Sequence, residues 1–215
     1  MPVLMMVCVP AAAWPEVPLP EDSQGELVSR HMSHNGIEMR ASRFTTLRDL
    51  DQVKGFYRGK WGEQLVENEL AGKTIIGRAE DGYFVTVELD DRRGLVEGTI
   101  GVMKLEAESG RERTFEPGAD FDKPADTSVF NDIRYFDVPG QARTLGMENG
   151  LSPYVNRQFY VHRLRMRGWR LSGVDDCSAH ANACFARFEK ANGDRISMAM
   201  TRRADARTQI VVNIE

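Results

Sequence analysis

The feature that most constrains this chain is a repeated alternation of strand-length runs with two-residue turn signals. ELVSRHMS and IEMRASRF flank Asn35-Gly36, TIIGRAE and YFVTVEL flank Asp81-Gly82, and ACFARFEK and RISMAMT flank Asn192-Gly193. Asn-Gly and Asp-Gly tolerate the positive φ that a type I′ turn needs at both central positions, and that turn twists in the sense that paired strands twist. The runs between them are rich in β-branched and aromatic residues, which suit a pleated, half-buried surface. LVEGTIGVMKL, after the turn DDRRG, and TQIVVNIE, after the turn RRAD, extend the same pattern, and WRLSGV reads as a further short strand.

Helical spacing interrupts the strands in two places. In TLRDLDQVKGFYRGKW, Leu47, Leu50, Val53, Phe56 and Tyr57 fall on one face; Thr46 is read as the N-cap, with Asp49 three residues on, and Gly59 and Gly62 weaken the end. The second helix, YVNRQFYVHRLRMR, follows Ser152-Pro153, a capping hydroxyl with proline at the first helical position, and stops at Gly168. Both helices place Phe-Tyr late, at Phe56-Tyr57 and Phe159-Tyr160, with Trp61 and Trp169 soon after.

Aligning the two Phe-Tyr pairs brings the following strand runs and turns into correspondence. The predicted fold class is therefore α+β: two similar units, each one helix packed on a small antiparallel β-sheet, related by internal duplication. The boundaries are 1–13 for a leader remnant, 14–105 for the first unit, 106–126 for a charged, Gly- and Pro-containing linker, and 127–215 for the second unit. In the linker, Phe115 and Phe121 are apolar anchors. The competing reading is one continuous α+β domain with two helices on one sheet.

Of the 215 residues, 41% are hydrophobic and 28% charged, an ordinary balance for a chain that buries a core. A net charge of -4 argues against nucleic acid as a partner, since phosphate binding calls for a basic excess. No apolar run approaches the ~20 residues of a membrane-spanning helix, so an integral membrane protein is not expected. The N-terminus opens on an uncharged apolar run ending in Ala11-Ala12-Ala13, and small residues there fit signal-peptidase cleavage after Ala13. The basic residues that normally open such a leader are missing before Arg30, and a buried N-terminal strand is the competing reading. Removing the leader removes Cys8 and leaves Cys177 and Cys184 as a pair, as suits an oxidising compartment. The expected location is periplasmic or secreted, with a Cys177–Cys184 disulfide.

Other chemistry competes for the same residues. In CSAHANAC, Cys177, His180 and Cys184 could ligate Zn or Cu with His162 or Asp176 as a fourth ligand, but the spacing matches no zinc signature. His180 could serve Cys177 or Cys184 as a base, yet no nucleophile motif surrounds them. His31, Met32, His34 and Met39 are a possible copper set, although His31 and His34 face opposite sides of a strand. Arg157, Arg163, Arg165, Arg167 and Arg170 form a basic run along the second helix, able either to meet an acidic partner or to cover apolar helix surface with their stems. Phosphate loops, the G-x-S-x-G elbow and H-E-x-x-H are absent from the sequence. These readings assign no catalytic residue, metal or cofactor. They lead to an exported, non-catalytic binding or accessory protein acting through contacts with an unknown, acidic protein partner. The alternative is a small-ligand or lipid binder with a pocket between helix and sheet; a hydrolase with an unrecognised site comes third.

Overall fold

The computed structural model describes residues 13–105, 115–137, 142–173 and 177–215. The expected leader up to residue 12 and the first part of the expected linker, 106–114, lie outside the described residues.

Strands dominate. In chain order they are β1 (Gln24–His34), β2 (Ile37–Thr46), β3 (Val66–Leu70), β4 (Lys73–Glu80), β5 (Tyr83–Asp91), β6 (Val96–Lys104), β7 (Ser128–Tyr135), β8 (Arg143–Asn149), β9 (Arg170–Ser172), β10 (Ala183–Glu189), β11 (Arg195–Arg202) and β12 (Thr208–Ile214). Helix α1 (Leu50–Trp61) follows β2, and α2 (Pro153–Met166) follows β8. All twelve strands join one hydrogen-bonded order, β3-β4-β5-β6-β2-β1-β7-β8-β12-β11-β10-β9.

This overturns the expected α+β class of two duplicated helix-on-sheet units. The protein is mainly β, with helices of only 12 and 14 residues. The strands ahead of each helix are the physical reason. The β1–β2 hairpin and the β7–β8 pair are internal members of the order, so two small separate sheets do not form. By compactness the chain divides into an N-terminal unit (described residues up to Leu27, and the stretch from Ser42) and a C-terminal unit (Val28–Ala41, and the second half). The hairpin is thus shared between them, which the spacing of the Phe-Tyr pairs did not foretell.

In the N-terminal unit, α1 buries Val53, Tyr57 and Trp61, at i, i+4 and i+8, in one core with Ile76, Val85, Val87, Ile100 and Val102. Its N-cap is Asp49, not Thr46: the Asp49 carboxylate accepts from the Gln52 amide at 2.8 Å, and the Gln52 side chain accepts from the Asp49 amide at 3.2 Å. Thr46 ends β2 instead, buried, with its hydroxyl accepting from the Arg48 amide. Gly98 of β6 has no Cβ because the ring of Phe44 occupies that space, at 2.1 Å from where a Cβ would stand. The extended entry segment packs onto this core through Trp14 and Val17, and the Tyr57 hydroxyl donates to the Pro18 carbonyl at 3.1 Å.

In the C-terminal unit, α2 buries Asn156, Tyr160 and Leu164; the latter two share a core with Leu145, Met147, Phe188, Met198, Met200, Ile210 and Val212. Ser152 caps the helix through its hydroxyl, which accepts from the Val155 amide at 3.2 Å, with Pro153 at the start as expected. Asn149 at the end of β8 and Asn156 exchange amide hydrogen bonds of 2.7 and 3.0 Å, satisfying two fully buried side chains and fixing the helix on the sheet. The described part of the expected linker is held by Phe121, packed near Tyr160, and by Asp132. Asp132 has no solvent exposure; it accepts from the Gly118 amide at 2.9 Å and from Arg143 Nε and Nη2 at 2.8 and 2.7 Å. Burial alone would push its carboxyl up, but Arg143, the Gly118 amide and Arg134 together hold it below the usual range.

Turns form at all three expected positions, and they differ in backbone. Asn35-Gly36 (φ 49° and 84°) and Asp81-Gly82 (φ 46° and 82°) both take left-handed backbone. Around Asn192-Gly193 only Gly193 is left-handed, and the Lys190 amide bonds the Asp194 carbonyl at 2.9 Å, so the loop is longer than two residues.

Candidate functional site

Register brings the functional surface together. In β10, Cys184, Ala186 and Phe188 face the core, so Phe185 and Arg187 point to the opposite, outer face. The same alternation puts Ser197 and Ala199 of β11, and Val211 and Asn213 of β12, on that outer face. Phe185 pairs with Ala199, Ala199 with Val211, and Val211 with Gly146 of β8. These residues form an apolar row across four strands. Beside it runs a polar row in which Ser172 pairs with Arg187, Arg187 with Ser197, Ser197 with Asn213, and Asn213 with Thr144.

The apolar row is recessed because its central members are small. Phe185, 60% exposed, stands at one end. At the other, Phe130 of β7 lies over Gly146, its ring 2.6 Å from where a Cβ would be. A groove of about 370 Å³ opens on this face, lined by Phe185, Arg187, Ser197, Ala199, Val211 and Asn213, with Arg157 reaching it from α2 past the three-residue edge strand β9. Such a volume lies at the small end of the ~300–1,000 Å³ range of small-molecule sites. Thr144 donates to the Asn213 side-chain oxygen at 2.9 Å, which leaves the Asn213 amide hydrogens to face outward.

Cys177 and Cys184 are joined in a disulfide, with Cα atoms 5.0 Å apart. Neither sulfur is therefore a thiolate, which removes the nucleophile and metal-ligand readings of CSAHANAC in this state. Among the described residues no group of His, Cys, Asp and Glu is placed to hold a metal. In the proposed copper set, Met32 is a buried core residue, while His31 is stacked on Phe136 at 4.8 Å.

The five arginines do not converge. Arg163 and Arg167, four residues apart, share one side of α2; Arg163 lies over the Phe159 ring and Arg167 bonds Asp122 at 2.9 Å. Arg165 is exposed elsewhere on the helix, and Arg170 sits on β9 opposite Glu189. Only Arg157 belongs to the groove.

The residues that sequence reasoning missed are Phe185, Arg187, Ser197, Ala199, Val211 and Asn213. A signal was present: Phe185, Ala199 and Val211 each sit between two core-facing neighbours, so three strands carry apolar residues on both faces. Strands that do so read as near-continuous apolar runs, such as IVV at Ile210–Val212.

Among the described residues no helix is long and apolar enough to cross a membrane. No protein-family model, no curated protein and no solved structure matches this chain.

Proposed function

We propose that this is an exported, non-catalytic binding protein whose recognition surface is the grooved outer face of the C-terminal sheet. The observation that carries this reading is the groove itself: a floor of small residues beneath a half-exposed phenylalanine, bordered by hydrogen-bond donors. An exposed, contiguous apolar patch rimmed by polar groups marks an interaction site more often than a bare surface. The disulfide fits an oxidising compartment, which supports export. The binding mode differs from the expected pocket between helix and sheet, a space that Tyr160, Leu164, Phe188 and Met198 help to fill. It also makes a small ligand the better-supported occupant than a protein bound along α2, because the helix arginines are dispersed.

The test is titration with a neutral fluorescent apolar probe, N-phenyl-1-naphthylamine. Saturable one-site binding is expected. Ala199→Trp, which fills the floor, should abolish it, and Phe185→Ala, at an exposed position, should weaken it without changing the melting temperature. The same probe should bind Thr99→Trp, a change on the outer face of the N-terminal sheet, as well as the wild type. Absence of saturable binding, or equal binding by a folded Ala199→Trp variant, would overturn the proposal.

A further inference from the structure

We infer that the ligand of this groove is a small amphipathic monoanion, its apolar body along Phe185, Ala199 and Val211 and its acidic group against Arg187. The inference rests on the binding reading above and adds the chemical class of the occupant.

Charge is the first argument. Among the described residues, those lining the groove include two guanidinium groups, Arg157 and Arg187, and no carboxylate, on a chain whose net charge is -4. Among the described residues, local charge at this recess therefore opposes the global charge. Arg157 has an interaction partner of its own, so the weight falls on Arg187. Arg187 takes part in no ion pair among the described residues; it is exposed on β10 and flanked by Ser172 and Ser197. An arginine beside apolar surface and without a carboxylate partner is well placed to receive one, in the bidentate geometry that a guanidinium fork supports.

Donor direction is the second argument. Along the polar row, Asn213 has its oxygen occupied by Thr144, so it offers N–H groups. Ser197 offers an O–H, and Arg187 offers only donors. Arg187 and Asn213, which offer donors beside the apolar row, match a head group made of acceptors joined to a hydrocarbon or aryl body.

Size is the third. About 370 Å³ suits the body of one small molecule. A protein partner needs roughly 800 Å² of contact on each side and a flatter, larger face. Charge complementarity and volume thus agree on a small anion and set an acidic peptide aside as the competing occupant.

The experiment is calorimetric titration of the full chain with decanoate and with 1-decanol, which share a body and differ in charge. Decanoate should bind about tenfold more tightly, as expected for a charged hydrogen-bonded contact, and its affinity should fall with added salt while that of decanol does not. Arg187→Gln should remove the preference for decanoate, and Arg187→Lys should restore part of it. Equal binding of the two, both blocked by Ala199→Trp, overturns the anion inference and leaves the groove reading standing. No binding of either, or binding indifferent to Ala199→Trp, overturns both. Tighter binding of a short acidic peptide than of decanoate also overturns the inference, in favour of a protein partner.

Discussion

The outer faces of the two units differ far more than their inner faces do. Inside, each helix buries a tyrosine completely, Tyr57 in α1 and Tyr160 in α2, each edge-on to the phenylalanine before it, at 80° and 89°. Burial pushes both phenols above the ordinary tyrosine range, with Asp122 adding to the effect at Tyr160. Outside, the N-terminal sheet presents Thr86, Glu88, Asp90, Glu97 and Thr99 together with Ile75 and the Phe84–Met103 pair, and its charges are largely satisfied among themselves: Lys73 with Glu88, and Arg92 with Asp90 at 3.1 Å and Glu97 at 3.4 Å. The C-terminal sheet presents Phe185, Ala199 and Val211 beside Arg187, which takes part in no ion pair among the described residues. The lesson is that packing dictates the inner faces, and what the protein can recognise depends on where the outer faces depart from a solvated, self-paired surface.

The units also differ in what lies buried. Among the described residues the fully buried charge is Asp132, in the C-terminal unit. Asp132→Ala should cost about 3 kcal/mol in denaturant unfolding, the low end for a broken buried pair, because Asp120 and Arg134 of the same network reach solvent. Glu88→Ala on the outer face of the N-terminal sheet should cause no measurable loss, as exposed pairs contribute little. The acid limb should follow. Asp132 has a folded-state value below its unfolded one, so its stabilisation is complete above the ordinary carboxylate value of about 3.9 and is lost as pH falls through the folded value. Asp132→Ala should flatten that limb. An unchanged acid limb would break this part of the comparison.

A smaller effect separates two glycines. Gly98→Ala in the N-terminal unit drives a methyl into Phe44, which is only 1% exposed and has nowhere to go, so a loss of about 1–3 kcal/mol is expected. Gly146→Ala in the C-terminal unit meets chiefly Phe130, which is 48% exposed and can swing into solvent, and also the Asn131 Cβ at 3.0 Å, a tight contact that a small backbone shift relieves. There a loss below about 1 kcal/mol is expected, and equal losses at the two sites would show that the outer face is packed as tightly as the core.

The sequence was most informative where a local rule decides the structure. Asn35-Gly36, Ser152-Pro153 and the Cys177–Cys184 spacing each fix their own neighbourhood through backbone permissiveness, a cap, or a short covalent loop. It was least informative where pairing decides. VENEL gives little strand signal because glutamates separate its apolar residues, yet it forms β3 by pairing with β4 through the left-handed turn Ala71-Gly72. Asp49 displaces Thr46 as N-cap because β2 runs to Thr46, and strand length is set by the partner strand. The groove is of the same kind. Phe185, Ala199, Val211 and Gly146 lie on four strands, and only their register places them in one row.

The most direct test of the central claim, that recognition belongs to the outer face of the C-terminal sheet, is a titration of isotope-labelled protein with decanoate, followed by amide chemical shifts. The account predicts saturable shifts clustered at Phe185, Arg187, Ser197, Ala199, Val211 and Asn213, with Thr86, Glu88 and Thr99 of the N-terminal sheet unmoved. Shifts centred on the N-terminal face or on the exposed arginines of α2, or none at all, would contradict it.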